Sequence, residues 1–163
     1  MSTADLLEDC PKNESLYSFT DNILNETKRI IKEDIRSLDV NSILSNFCYF
    51  NTESIIIDSR FFKIFAIPEN YEVFKTCIVE RIEEALSNNQ KIVVHLNIQT
   101  IQIMDIEKHY DFLIKIAKFM GDKFPNKLEK CYVYSSGFIF QSIYSILSIV
   151  IDKQTRQRII FIK

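Results

Sequence analysis

The stretch KIVVHLN, residues 91–97, constrains the fold more than any other. Ile92, Val94 and Leu96 occupy one of its alternating faces and Val93 and His95 the other, so the stretch is apolar on both sides. A strand of that kind belongs in the middle of a sheet that is covered on both sides. The flanking segments supply its neighbours. FCYF (47–50), SIIIDS (54–59) and RFFKIFAI (60–67) are short β-branched or aromatic stretches, expected as successive strands, and KCYVY (130–134) and RIIFIK (158–163) read as two more. Between them lie helical patterns. Pro68 opens a helix over about Glu69 to Leu86, with a stripe of Val73, Phe74, Cys77, Ile78, Ile82 and Ala85; a second covers about Ile106 to Met120, stopped by Gly121 and Pro125; a third covers Phe138 to Ile151. Strand and helix alternate from residue 61 onward, which predicts an α/β domain with a mostly parallel sheet flanked by helices.

With 163 residues there is enough chain for one ordinary domain and its core. Residues 1–19, polar and with Pro11, are expected as a flexible N-terminal segment, and 20–163 as a single domain that begins with an amphipathic helix carrying Ile23, Leu24, Ile30, Ile31, Ile35 and Leu38. Only 2 glycines are present, and Gly121 and Gly137 cannot assemble GxGxxG or a P-loop. A net charge of −2 gives no overall attraction to nucleic acid, and none is expected as a partner. Cys10, Cys48, Cys77 and Cys131 show no CxxC spacing and read as free thiols of a reducing compartment. The acidic opening MSTADLLEDCPKNES resembles neither a signal nor a transit peptide, so the expected location is cytoplasmic.

The helix at 138–151 is unusual. Its roughly 15 charge-free residues fall short of the roughly 20 that cross a bilayer. Gln141, Ser145, Ser148 and Asp152 make one narrow polar stripe, and the remaining circumference is apolar. One sheet face covers only about half of such a helix, so a neighbouring helix, an apolar ligand, a membrane surface or a partner must meet the rest.

Pro125, Leu128, CYVY, then Phe138, Phe140, Tyr144, Leu147, Thr155 and RIIFI follow the order and spacing of a segment of Sec14-like (CRAL-TRIO) domains. NQKIVVHLNIQTIQI resembles the central strand of that family and RFFKIFAI the strand before it. The resemblance covers roughly residues 60–163 and is closest to the divergent branch that includes the BCH domains of GTPase regulators. It implies an α/β sandwich whose sheet floors a cavity for a phospholipid or other hydrophobic small molecule. Where many such domains carry Asn-Ala-Pro or His-Pro-Thr after the CYVY strand, this chain has Ser135, Ser136 and Gly137. The family normally runs on past its last strand into a gate helix and a further strand. With the chain ending at Lys163, the expectation is a truncated domain that has either an open cleft or a scaffold without its lipid pocket.

The expected function is non-enzymatic binding of a hydrophobic ligand between the sheet and the 138–151 helix, with peripheral membrane contact as an option. The ligand-binding candidates are His95, Phe138, Phe140, Ile143, Tyr144 and Leu147, and the turn residues Lys153, Arg156 and Arg158 are candidates for a head group or a partner. The alternative is a BCH-like interaction or scaffold module in which the same helix forms a homodimer or a partner interface. A STAS-like regulatory domain is a further alternative, on the likeness of YSSG to the family's DSSG loop, with Tyr134 where that loop has an acid. No catalytic triad, metal site or cofactor loop can be assembled. Ser135 and Ser136 are expected to cap the helix that follows, and His109, beside Lys108 and Asp111, is expected to be solvated.

Overall fold

The computed structural model describes residues 40–135 and 137–162. The expected flexible segment 1–19, the amphipathic helix at 21–38, Ser136 and Lys163 lie outside the described residues. In chain order the elements are α1 (Val40–Phe47), β1 (Cys48–Asn51), β2 (Ser54–Asp58), α2 (Ser59–Phe65), a 3-10 turn (Pro68–Asn70), α3 (Tyr71–Asn88) and β3 (Ile92–Asn97). Then follow α4 (Ile103–Lys108), α5 (Tyr110–Lys123), β4 (Leu128–Tyr134), α6 (Phe140–Val150), α7 (Lys153–Arg156) and β5 (Ile159–Ile162). The five strands form one sheet in the order β1-β2-β3-β4-β5, antiparallel between β1 and β2 and parallel elsewhere. β3 is its middle strand, as its two apolar faces require.

That strand order dictates where the helices go. Each crossover steps to the next strand in the same direction, and connections of one hand then lay their helices on one face. Ile55, Ile92 and Val94 meet the aromatic and aliphatic side chains of α1, α2 and α3 on this face, including Phe47, Phe61, Phe62 and Phe74. Farther along the same face Leu96, Val133, Ile159 and Phe161 meet Ile106, Leu113, Ile139, Ile143 and Ile146. The alternate residues Ile56, Val93, Tyr132, Tyr134, Ile160 and Ile162 make a separate cluster on the other face, to which no described helix contributes.

RFFKIFAI is helical rather than extended over most of its length. Asp58 ends β2 and caps α2, its carboxylate accepting from the Arg60 N–H at 3.1 Å and from the Arg60 guanidinium at 2.6 Å. The cap turns the chain out of the sheet, and Phe61, Phe62 and Phe65 then fall on one helical face against the core. The strand that pairs with β3 is therefore SIIID. A second correction concerns the helix expected at 106–120, which is two helices broken at His109 (φ −107°, ψ 14°), and the second runs through Gly121 to Lys123.

Candidate ligand-binding surface

α6 and α3 perform the same crossover, yet α6 keeps only Ile146 fully buried along its length. Its inner side holds to the sheet through Ile143 and Ile146 and through Phe140, whose ring stands edge-on to Phe161 at 4.6 Å. Outward lie Tyr144, 46% exposed, Ile149, 67% exposed, and, just before the helix, Phe138, 91% exposed. No charged side chain occurs between Cys131 and Ile151. The polar stripe is present but muted: Ser145 Oγ donates to the Gln141 carbonyl and Ser148 Oγ to the Tyr144 carbonyl, each at 2.8 Å. Hydroxyls bonded to carbonyls one turn back ask little of the surroundings, so this face can enter an apolar phase at small cost.

The carboxyl ends of the strands extend the apolar surface. Loops after β3 and β4 are tied together by the Ile98 N–H donating to the Tyr134 carbonyl at 2.8 Å, and Ile98 packs with Ile139. Ile103 and Met104, which open α4 near this end, are 50% and 75% exposed. Sequence reasoning missed them, because two apolar residues at a helix start look like core until the packing partners are known.

The residues singled out for a ligand do not share one cleft. Phe140, Ile143, Tyr144 and Leu147 are on α6 and Phe138 leads into it, all on the helix-covered face. His95 points from β3 to the other face, 3% exposed, where its ring stacks on Tyr132 and Tyr134 and its Nδ1 meets the Tyr134 hydroxyl at 2.8 Å. Strand alternation puts the sheet between His95 and α6. Burial pushes the His95 pKa below its ordinary value, so the ring is held neutral and bonded.

The basic turn sits at the far end of α6 from Phe138, about 16 Å away along an 11-residue helix. Asp152 caps α7, accepting from Thr155 N–H at 2.9 Å and Thr155 Oγ1 at 2.7 Å, and these bonds hold its carboxyl below the usual range. Arg158 is structural, its Nη1 donating to the Leu128 carbonyl at 2.6 Å. Arg156 buries an Nε that has no partner, and Lys153 is exposed.

Three further expectations need correction. His109 is buried rather than solvated: Phe62 and Tyr71 stand edge-on to its ring and the Tyr71 hydroxyl lies 2.6 Å from Nδ1. Burial, with Lys108 nearby, lowers its pKa. Ser135 does not cap α6; it is buried, its N–H donates to the Ile162 carbonyl at 3.0 Å, and Ile139 stands at the cap position without a side-chain bond. Val73, assigned to the buried stripe of α3, is 39% exposed.

Two surface depressions are formed by described residues. One of about 610 Å³ lies between Tyr71 and the α4–α5 junction at His109, the other of about 540 Å³ between α1 and α3, and neither reaches α6. Among the described residues, no cluster of three or more His, Cys, Asp or Glu can hold a metal ion, and no helix is long and apolar enough to cross a membrane.

The CRAL/TRIO domain model matches residues 44–163. Seven solved chains share the fold, among them the one named "Crystal structure of Sfh5", with a TM-score of 0.62 at 13% identity over 77% of this chain and 50% of that one. The chain thus spans half the length of that solved relative. No curated protein sequence matches it. The match over residues 44–163, the sequential parallel sheet and the apolar crossover helix agree: the chain belongs to the CRAL/TRIO domain family and has a Sec14-like α/β fold.

Proposed function

We propose that this domain binds a hydrophobic ligand, a phospholipid or a molecule of similar character, through α6, without enzymatic activity and as a peripheral, cytoplasmic protein. Membership of a lipid-binding domain family supports the class of ligand. One observation carries the assignment of the surface: α6 turns a charge-free, hydroxyl-satisfied face outward, with Phe138 and Ile149 91% and 67% exposed. An acyl chain would lie against the exposed apolar side of α6, along Phe138, Tyr144 and Ile149. Lys153 and Arg156 stand where a phosphate would be met at the helix's far end. His95 is outside this site.

Native mass spectrometry of the purified protein, followed by organic extraction, tests the reading. A co-purifying lipid that is lost in Tyr144→Asp, on the exposed side of α6, with the far-ultraviolet spectrum of the fold retained, is the expected result. A protein that carries no lipid and does not bind vesicles overturns it. The second reading, a homodimer or partner interface on the same helix, draws on the same exposure of Tyr144 and Ile149, since large apolar patches are rare on monomers. Sedimentation separates the two: Ile149→Glu converts a dimer to a monomer under the interface reading, whereas under the ligand reading the protein is monomeric before and after.

A further inference from the structure

The sheet face opposite the helices is bare of described helices, yet its central side chains are shut away from water. Ile56 on β2 is 0% exposed and Tyr134 on β4 1%, with His95 and Tyr132 buried beside them. Strand neighbours alone do not produce this. They pack against the flanks of a side chain in a sheet face and leave its outer end open, and a face left in water normally carries polar residues. Toward the edges the burial relaxes: Tyr49 on β1 and Ile160 and Ile162 on β5 are half-buried. A cover one helix wide, about 10 Å, spans two or three strands at about 4.8 Å spacing. It closes over β2 to β4 and leaves the rims open, which is the gradient observed.

The cover comes from the chain itself, because these burials are those of a single chain. Outside the described residues lie 1–39, Ser136 and Lys163, and only the first stretch is long enough to cover a sheet face. Within it, residues 1–19 are polar, whereas Ile23, Leu24, Ile30 and Ile31 recur at helical spacing with Glu26, Lys28 and Arg29 between them. Residues 21–31 as a helix measure about 16 Å, close to the length of β2. The chain from Ile31 to Val40, where α1 begins and leads into the edge strand β1, reaches about 30 Å when extended. That suffices to round a sheet edge with a packed layer about 10 Å away on either side.

We propose that the segment 21–38 is the layer that closes this face. Ile23, Leu24, Ile30 and Ile31 dock on Ile56, His95, Tyr132 and Tyr134, and the remainder rounds the β1 edge into α1. The domain is then a helix–sheet–helix sandwich sealed by its own N-terminal segment. The proposal does not rest on the ligand reading, since α6 stands on the opposite face and stays free.

The two histidines supply an internal control, because both are buried, His95 under the proposed cover and His109 on the other face. The full chain is treated with diethyl pyrocarbonate, which acylates accessible neutral imidazole, and the rate at each histidine is read by peptide mass spectrometry. Amide hydrogen exchange is followed on the same protein. In wild type both histidines should react slowly, and the amides of 21–31 should exchange roughly a hundredfold slower than in an unstructured chain. In Ile30→Asp/Ile31→Asp that protection should vanish and His95 should react roughly tenfold faster, while His109 keeps its wild-type rate. If the double substitution unfolds the chain, so that both histidines react alike, Ile30→Ala is read in its place. Unprotected amides at 21–31 in wild type, or a folded variant in which the His95 rate is unchanged, overturns the proposal. Slow reaction of His95 that is lost on dilution assigns the face to a second copy of the chain and overturns it as well.

Discussion

α3 and α6 are both crossover helices on the same face of one sheet, and they resolve the same packing problem in opposite ways. α3 buries Phe74, Cys77, Ile82 and Ala85 and shows water Glu72, Glu80, Glu83 and Glu84. α6 buries Ile146 and shows Tyr144, Ile149 and two self-bonded serines. Topology requires a helix at each place, and nothing in a crossover requires the outer face to be apolar. α3 therefore reports what the fold needs, and the excess apolar surface of α6 reports what lies beyond it. That contrast is the ground on which α6, the helix that contributes less to the core, is proposed as the binding surface.

The largest expected effect lies on α3. Phe74 stands edge-on to Phe47 at 4.9 Å and to Phe62 at 5.2 Å, so Phe74→Ala opens a cavity at the meeting point of α1, α2 and α3. Urea denaturation should show a loss of about 3–5 kcal/mol. A loss under about 1 kcal/mol would mean that α3 is not the stabilising helix. Next comes Ile146→Ala, the equivalent truncation on α6. It should cost about 2 kcal/mol, the low end for an isoleucine, because a thin helix edge can collapse onto the sheet.

The third prediction concerns pH. His95 and His109 lie on opposite faces of the sheet, each bonded to a tyrosine hydroxyl and each with a pKa lowered by burial. The unfolded chain then binds more protons than the folded one just below the ordinary histidine value of about 6.5. Stability from these groups is present above that pH and is lost as pH falls toward the lowered folded values. His95→Gln should flatten part of this slope in thermal melts between about pH 5 and 7. An unchanged slope in both His95→Gln and His109→Gln would mean that neither ring is held neutral.

Much of this plan is legible in the residues. KIVVHLN announces a central strand, the charge-free 138–151 segment announces an unusual helix, and the alternation of strands and helices gives a mostly parallel sheet, whereas the sequential order of its strands appears only in the structure. Two regions resisted for identifiable reasons. RFFKIFAI has aromatic residues at i, i+1 and i+4, which suit a strand by composition, and only the Asp58 cap decides for a helix. His109 looks solvated beside Lys108 and Asp111, because its partners Phe62 and Tyr71 are about 40 residues away in the chain and meet it only through the fold. His95 shows a subtler limit. Its burial follows from the strand pattern, but which face it takes relative to α6 depends on register, and a one-residue shift would reverse it.

The smallest expected change in stability accompanies the most informative measurement. Ile149→Glu on the outer face of α6 should alter unfolding free energy by no more than about 0.5 kcal/mol, since the side chain is 67% exposed. Flotation of wild-type and Ile149→Glu protein with phospholipid vesicles then tests the assignment of α6 directly. The account predicts that wild type floats with the vesicles and the variant, still folded, remains in solution. Equal flotation of both, or flotation of neither, would contradict it.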